Sequence, residues 1–175
     1  MLISQFRQLI KTFRDLWLIM AIAVMWVLFS ATPALAQQDS PDNYTYSEIR
    51  EQDFSHRNLV GAIFAAADAR GSNFEGSDVS NSILTKGIFL NTNLKDSNFT
   101  SSLMDRVTFE NSDLTNAIFQ DAVATSTNFE GTTITGADFT DAILDRYQIF
   151  QLCKRASGTN PTTGVETRYS LGCRD

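Results

Sequence analysis

The feature that most constrains this 175-residue chain is an apolar residue at every fifth position from Leu59 to Leu144. From Phe64 to Leu144, the residue two positions before each of them is Ala, Ser, Thr or Gly, with Val107 as the single exception. The apolar series is Leu59, Phe64, Ala69, Phe74, Val79, Leu84, Phe89, Leu94, Phe99, Met104, Phe109, Leu114, Phe119, Ala124, Phe129, Ile134, Phe139 and Leu144. The fold must bury one side chain in every five residues.

Neither regular element can bury this series. Five residues of an α-helix turn the side-chain direction by about 140°, so the series would spiral around the helix. In a strand, an odd spacing sends successive members to opposite faces. A chain that turns a corner every five residues can point each member inward, and such short units bury their apolar residues only when stacked. The period therefore predicts a solenoid.

A second period, of twenty residues, predicts how many units make one coil. The residues just before the apolar positions are mostly Asn, Asp or Thr, but five aliphatic ones recur every twenty residues. These are Ile63, Ile83, Leu103, Val123 and Ile143. Four units per coil would stack Phe99, Phe119 and Phe139 along a common axis. At an inter-strand spacing of about 4.8 Å, four to five coils give a four-sided rod about 20–25 Å long.

Several five-residue units resemble those of the pentapeptide repeat family, which read A(D/N)LXX. Close matches are ADFTD at residues 137–141, SNFEG at 72–76 and TNLKD at 92–96. Members of that family form right-handed quadrilateral β-helices with the central and small residues pointing inward. The resemblance therefore implies an all-β solenoid, over residues 52–146.

The start of the series is less regular, because Gln52 and Arg57 occupy the position of the small residue. We therefore expect the first coil, around residues 53–58, to be distorted or to act as a cap. Residues 37–51 would form an N-terminal extension before it.

The first 36 residues have the pattern of an export signal. Arg7, Lys11 and Arg14 precede an apolar stretch at residues 16–29, and Ala-Leu-Ala at 34–36 fits a cleavage site between Ala36 and Gln37. A retained membrane anchor is the alternative, although the apolar stretch is short for a full span. We predict cleavage, which would leave no stable membrane anchor.

The charge argues against nucleic acid as a partner. The whole chain has a formal net charge of −6, and loss of the first 36 residues, with three basic and one acidic residue, would make it −8. Nucleic acids and anionic lipid surfaces attract positive patches. An acidic surface of this kind is typical of a soluble protein.

The two cysteines, Cys153 and Cys173, both follow the repeats. In an oxidising compartment such a pair predicts a disulfide, which would contribute about 3 kcal/mol on the chain-entropy model. A redox switch is the alternative, although a separation of twenty residues is not a C-x-x-C motif.

The five-residue period ends near Tyr147, and the C-terminal residues predict two short helices. Residues 145–155 carry apolar side chains at helical spacing. Thr163 and Glu166 resemble a capping box, which would open a second helix ending at Gly172. We expect residues 147–175 to form a helical cap over the last coil, because solenoids need capped ends. The disulfide would join the two helices.

The segment LCKRASGTNPTTGVETRYSLGC at residues 152–173 resembles the tail of the lumenal pentapeptide repeat proteins of cyanobacterial and chloroplast thylakoids. That tail couples the two cysteines across an SGTNP-like turn. With the export signal, the resemblance implies a cyanobacterial protein of the thylakoid lumen or the periplasm.

No pattern in the sequence predicts a catalytic, cofactor-binding or metal-binding residue. His56 is the sole histidine, whereas zinc sites take several ligands and a catalytic triad needs partner side chains. Asp121 and Asp141 share a column, and we expect solvated like charges there rather than a weak cation site.

The predicted function is that of a non-catalytic interaction or scaffold module whose partner is an unidentified lumenal or periplasmic protein. The candidate contact surface is the aliphatic series from Ile63 to Ile143, because aligned exposed apolar side chains mark partner surfaces. Alternatively the series packs against itself or is covered by residues 39–49. Two other functions stay open: a redox-responsive regulator acting through Cys153 and Cys173, and a DNA mimic of the gyrase-protecting type, against which the export signal argues.

Overall fold

The computed structural model describes Met20, Met25 and residues 41–174. Seventeen parallel β-bridges, each joining residues twenty positions apart, run from Asn43–Ile63 to Val123–Ile143. Four bridges occur per twenty residues, so the chain forms five four-sided coils over residues 43–142. The predicted solenoid and its twenty-residue coil are confirmed.

Each side of the coil contributes one column of outward-facing bridge residues. Face 1 carries Asn43, Ile63, Ile83, Leu103, Val123 and Ile143. Face 2 carries Glu48, Asp68, Ile88, Thr108 and Asn128. Face 3 carries Asp53, Asn73, Asn93, Asp113 and Thr133. Face 4 carries Asn58, Asp78, Asn98, Ile118 and Asp138.

The apolar series fills the interior of the coils. Phe99 and Phe119 stack with their ring centroids 5.2 Å apart, and Phe119 and Phe139 stack at 4.9 Å with an angle of 2° between the rings. All three are buried. The column of phenylalanines expected along the axis is therefore present, and it identifies the narrow core on which the fold depends.

The corners of the coil explain why the chain can turn so often. The twenty corner residues at five-residue spacing, from Tyr46 to Asp141, all have positive φ, between 53° and 74°. Each is the third residue of a turn such as the one closed by the Ser47 N–H and the Tyr44 carbonyl at 3.0 Å, as a type II turn requires. None of the twenty is β-branched, which fits the high cost of positive φ for those residues.

The first coil differs from the prediction. Tyr44, Ile49 and Phe54 continue the five-residue series inward, and Asn43 already bridges to Ile63. Residues 43–51 belong to this coil and are not an extension before it, and residues 53–58 carry regular bridges and are not distorted. The physical reason is that this coil is the outermost one described, so the small position opens to solvent. Gln52 and Arg57 lie exposed there. That this coil acts as a cap stays a prediction.

After the last coil, residues 145–174 contain two helices. Helix α1 spans Arg146–Cys153, close to the prediction, and its first turn is fixed by the Asp145 N–H, which donates to Gln148 Oε1 at 2.6 Å. Helix α2 spans only Thr167–Ser170, with Glu166 as its N-cap residue. The predicted capping box at Thr163 is therefore not what opens α2.

Polar side chains of this segment bind the open edge of the last coils. Gln148 Nε2 donates to the carbonyls of Ala124 and Thr127. Arg155 donates to the carbonyls of Thr132 and Phe129. Asn160 Nδ2 donates to the carbonyls of Gly136 and Asn116, and Ser170 Oγ accepts the Phe139 N–H. The side chains of this segment thus form hydrogen bonds with main-chain groups of the last coils, where a further coil would otherwise provide main-chain partners.

Cys153, at the end of α1, forms a disulfide with Cys173, with their Cα atoms 5.6 Å apart. This is the pair predicted from the sequence. The expected export signal and its cleavage site between Ala36 and Gln37 lie outside the described residues. Within the part of the chain that the structure describes, no helix has the length and apolar character needed to cross a membrane.

Candidate interaction surface

The aliphatic ridge is the set of five outward-facing residues of face 1 from Ile63 to Ile143. The parallel bridges align all five in one column. Leu103 and Ile143 are 46% and 55% exposed, Ile83 is 37% exposed, and Ile63 and Val123 are partly buried. They face outward because each lies between a small residue and an apolar residue that both point into the core.

Of the N-terminal stretch considered as an alternative cover for this ridge, the structure describes residues 41–49, and these do not lie over it. Among residues 41–49, Asn43 extends the same column by one coil, and Tyr44 points inward to stack on Phe64 at 4.9 Å. Residues 41–49 are therefore part of the rod, and Asn43 adds a polar residue at the end of the face 1 column.

The other faces carry mainly polar columns, interrupted by Ile88 on face 2 and Ile118 on face 4, and on faces 3 and 4 members of the column bond one another. On face 3, Asn93 Nδ2 donates to Asn73 Oδ1 at 3.0 Å, and Asn73 Nδ2 donates to Asp53 Oδ1 at 3.1 Å. On face 4, Asn98 Nδ2 donates to Asp78 Oδ1 at 3.1 Å. Face 1 is the face on which the whole column after its first residue is apolar.

Two corners border the ridge, and they differ in charge. The corner between faces 4 and 1, which we call the acidic edge, carries the exposed residues Val60, Ser101, Asp121 and Asp141. The corner between faces 1 and 2, which we call the basic edge, carries the exposed residues Tyr46, Lys86, Arg106 and Arg146. This asymmetry was not predicted from the sequence, in which the polar positions of the repeat look like equivalent solvent-facing positions.

Two carboxylates also lie on the basic edge, and both have local partners. Asp105 accepts hydrogen bonds from the Thr125 hydroxyl and from Arg106, and these two contacts lower the pKa of its carboxyl, the hydroxyl contributing most. Asp145 accepts the Ser126 N–H at 2.7 Å. Lys86 and Arg146 form no ion pair within the described chain, and with Arg106 they outnumber the two carboxylates, so this edge carries a small positive charge.

The remaining charged clusters have structural roles. On face 2, Asp68 accepts hydrogen bonds from Arg70 and Arg50, and the bond from Arg70 is the main reason that the pKa of Asp68 lies well below its usual range. His56 lies exposed at a corner, and Asp121 and Asp141 are exposed corner residues on neighbouring coils. No cluster of three or more His, Cys, Asp or Glu able to hold a metal exists among residues 41–174.

A cleft of about 260 Å³ lies along α1. It is bordered by Tyr147 and Gln151 on the helix and by residues 127–131 of the last coil. Arg155 lines it, and burial lowers the pKa of its guanidinium. Most of the donors of Arg155 already bond main-chain carbonyls and the Thr132 hydroxyl. The cleft therefore reflects how the C-terminal segment is attached to the coils.

Coils of twenty residues, with a small and an apolar residue inward in each unit of five, define a pentapeptide repeat solenoid. Eight copies of the family model for pentapeptide repeats match the chain, over residues 53–85, 92–131 and 102–141. The chain belongs to the pentapeptide repeat family.

The chain is similar to proteins of the thylakoid lumen. It is 61% identical over 31 residues to the chloroplastic thylakoid lumenal protein TL20.3 of Arabidopsis thaliana, and this match spans 18% of the chain and 11% of the length of that relative. It is 32% identical to a solved pentapeptide repeat protein from the Arabidopsis thaliana thylakoid lumen, covering 78% of this chain and 88% of that one, with a TM-score of 0.38.

A more distant structure supports the fold alone. HetL, a pentapeptide repeat protein involved in heterocyst differentiation regulation in the cyanobacterium Nostoc, is 14% identical, with a TM-score of 0.57. The match covers 58% of this chain and 48% of HetL.

Proposed function

We propose that this chain is an exported, non-catalytic interaction module of the thylakoid lumen or periplasm, which binds a protein partner through the aliphatic ridge. The observation that carries the proposal is a continuous column of apolar side chains on a rod whose other faces are mainly polar. Aligned exposed apolar groups of this kind are costly in water and mark sites of protein contact.

Two further features support the proposal. The stacked phenylalanines and the ladder of β-bridges make a stiff rod, so the ridge is presented as a preformed surface. We propose that residues 145–174 act as its cap, since Gln148, Arg155 and Asn160 bond carbonyls that would otherwise face water. A preformed surface loses little conformational entropy on binding.

A paired-variant capture experiment tests the binding role. The double variant Leu103→Ser/Val123→Ser removes the centre of the ridge and should leave folding intact, because neither side chain is in the core. We expect it to lose most crosslinked partners recovered from intact thylakoids or periplasm, as measured by mass spectrometry. Ile88→Ser, on face 2, is the matched control, and an identical crosslink profile for all three proteins would contradict the proposal.

The location is tested separately. Residues 1–40 fused to a reporter should direct its export, and mass analysis of the mature chain should find Gln37 as the first residue. The support for a lumenal location is the similarity to lumenal relatives together with the signal pattern. Retention of the reporter in the cytoplasm would contradict it.

A second candidate function is redox regulation through the disulfide between Cys153 and Cys173. Its support is that both residues are only partly buried and that the bond links α1 to the segment whose Ser170 binds the last coil. The reduction potential decides between the two roles. A value below about −300 mV is typical of a structural disulfide, whereas a higher value is typical of a regulatory one.

A further inference from the structure

We propose that the partner on the aliphatic ridge is a second copy of this chain, packed face 1 against face 1 with the two rods parallel. This inference rests on the proposed function and names its partner. The charges on the two sides of the ridge are complementary to those of a second copy in one orientation. This complementarity identifies both the partner and the relative direction of the two rods.

The two edges that border the ridge differ in charge. Asp121 and Asp141 make the acidic edge negative, whereas the three cations of the basic edge outnumber its two carboxylates, Asp105 and Asp145. The two edges lie on opposite sides of the same apolar column. A partner of this ridge therefore needs a positive strip, an apolar strip and a negative strip in the reverse order.

Rotation about a two-fold axis parallel to the rod supplies that reverse order. It turns face 1 of one copy onto face 1 of the other, and it brings the basic edge of each copy opposite the acidic edge of its partner. A two-fold axis across the rod would instead place like charges together. Closed two-fold dimers use the same patch on both subunits, so charge complementarity favours the parallel arrangement.

The heights of the charges along the rod agree with this arrangement. Arg146 begins α1 directly after the last coil, and its neighbour Asp145 accepts the Ser126 N–H at 2.7 Å. Arg146 therefore lies at the same end of the rod as Asp141. Arg106 and Asp121 are fifteen residues apart, about 3.6 Å along the axis. In the parallel dimer Arg146 of each copy therefore meets Asp141 of the other.

The same rotation also brings together exposed apolar residues of the first coil. Tyr46, on the basic edge, is 83% exposed, and Val60, on the acidic edge of the same coil, is 45% exposed. The rotation brings each tyrosine opposite the partner's valine, while the ridge itself lies along the two-fold axis. Exposed apolar side chains at both the edge and the centre of face 1 would then be covered at once.

The size of the surface sets the expected affinity. Five coils extend about 24 Å, so the patch is small, and interfaces that bury less than about 1,200 Å² in total are weak or transient. We expect a dimer with a dissociation constant of roughly 10 μM to 1 mM, in the range that small interfaces give.

Complementary charge reversals test the arrangement by sedimentation equilibrium from about 10 μM to about 2 mM. We expect Asp141→Arg and Arg146→Asp each to weaken self-association at least about tenfold, and an equimolar mixture of the two to restore it. In the mixed dimer both charge pairs are attractive again. Asp96→Arg, a reversal at an equivalent corner away from face 1 (φ 55° against 56° for Asp141), is the control for net charge.

Two outcomes would overturn the inference: a wild-type chain that is monomeric at every concentration, or a mixture that associates no better than either reversed variant alone. Circular dichroism and melting temperature establish that each variant is folded. A monomeric chain that still loses its crosslinked partners on Leu103→Ser/Val123→Ser would refute self-association and leave the proposed function intact.

Cysteine crosslinking provides a second measurement, which is sensitive to orientation. In the parallel dimer Ile83 lies beside its own equivalent, so Ile83→Cys should form a covalent dimer on oxidation. An antiparallel pair centred on Leu103 would place Ile83 near Val123, two coils away. Failure of Ile83→Cys to crosslink faster than the face 2 control Ile88→Cys would contradict the parallel arrangement.

Discussion

The two ends of the rod are built from the same twenty-residue coil but are finished in different ways. At the first coil, Gln52 and Arg57 replace small residues and lie in solvent. At the last coil, Asn160 is fully buried and bonds two main-chain carbonyls. The comparison shows that exposed positions of the first coil tolerate bulk, because water satisfies their polar groups, whereas buried groups at the last coil need a specific side chain as partner.

The energetic reason is the asymmetry of hydrogen bonding. A polar group exposed at an open end exchanges one partner for water at little cost, whereas a buried group left without a partner costs about 1–3 kcal/mol. Substitutions of the same residue type at both ends should therefore differ in effect.

The largest effect is expected from the disulfide at the covered end. Replacing Cys153 and Cys173 by serine should lower the free energy of unfolding by about 3 kcal/mol, because the unfolded chain regains the entropy of a loop of about twenty residues. Urea denaturation of the two proteins measures this. A change of less than about 1 kcal/mol would show that the hydrogen bonds of residues 145–174 alone hold the end closed.

Asn160 provides the sharpest contrast between the ends. Asn160→Ala should cost about 2–3 kcal/mol, since it leaves the carbonyls of Asn116 and Gly136 without their donor and removes the acceptor of the Thr162 and Thr163 N–H groups. Asn43→Ala, at the open end, should cost less than about 1 kcal/mol. Equal losses in thermal or urea unfolding would refute the distinction.

The two arginines make a similar but smaller contrast. Arg155→Met should cost about 1–2 kcal/mol, because the carbonyls of Phe129 and Thr132 lose a partly buried donor. Hydrogen exchange at residues 145–174 should rise with it. An unchanged exchange rate and stability would show that water replaces the guanidinium without cost.

The smallest effect is expected for Arg57→Met. Arg57 lies 5.3 Å from the centroid of the Phe54 ring and 3.4 Å from Asp42 Oδ2, but it is largely solvated. We expect a loss of at most about 0.5 kcal/mol, typical of exposed pairs. A loss as large as that of Arg155→Met would mean that the first coil also depends on a specific covering side chain.

The sequence predicts the interior of this fold well, because the interior repeats. Phe119 needs the same surroundings as Phe99 and Phe139, so a spacing of twenty residues is sufficient to place all three. The aliphatic ridge was identified from the same period, whereas the cysteine pair was predicted because the chain has two cysteines and an export signal pattern. The charge difference between Asp141 and Arg146 could have been found by assigning corner positions to faces.

The ends could not be predicted in this way, because there the contacts are not periodic. Tyr44 and Ile49 continue the five-residue spacing and could have indicated a first coil. The pattern was not assigned there because the bulky Gln52 occupies the position of the small residue. Asn160 looks like an ordinary turn residue, and its burial depends on carbonyls 24 and 44 positions earlier. The capping box at Thr163 matched a local motif that the fold does not use.

The ladder that joins residues twenty positions apart also restricts how this chain can change in length. Removing residues 83–102 would shorten the rod by about 4.8 Å and keep the columns on their original faces. Removing a single unit of five would instead rotate everything after it by a quarter turn, and the later half of the ridge would emerge on a neighbouring face. Insertions and deletions that preserve the surface pattern must therefore come in whole coils.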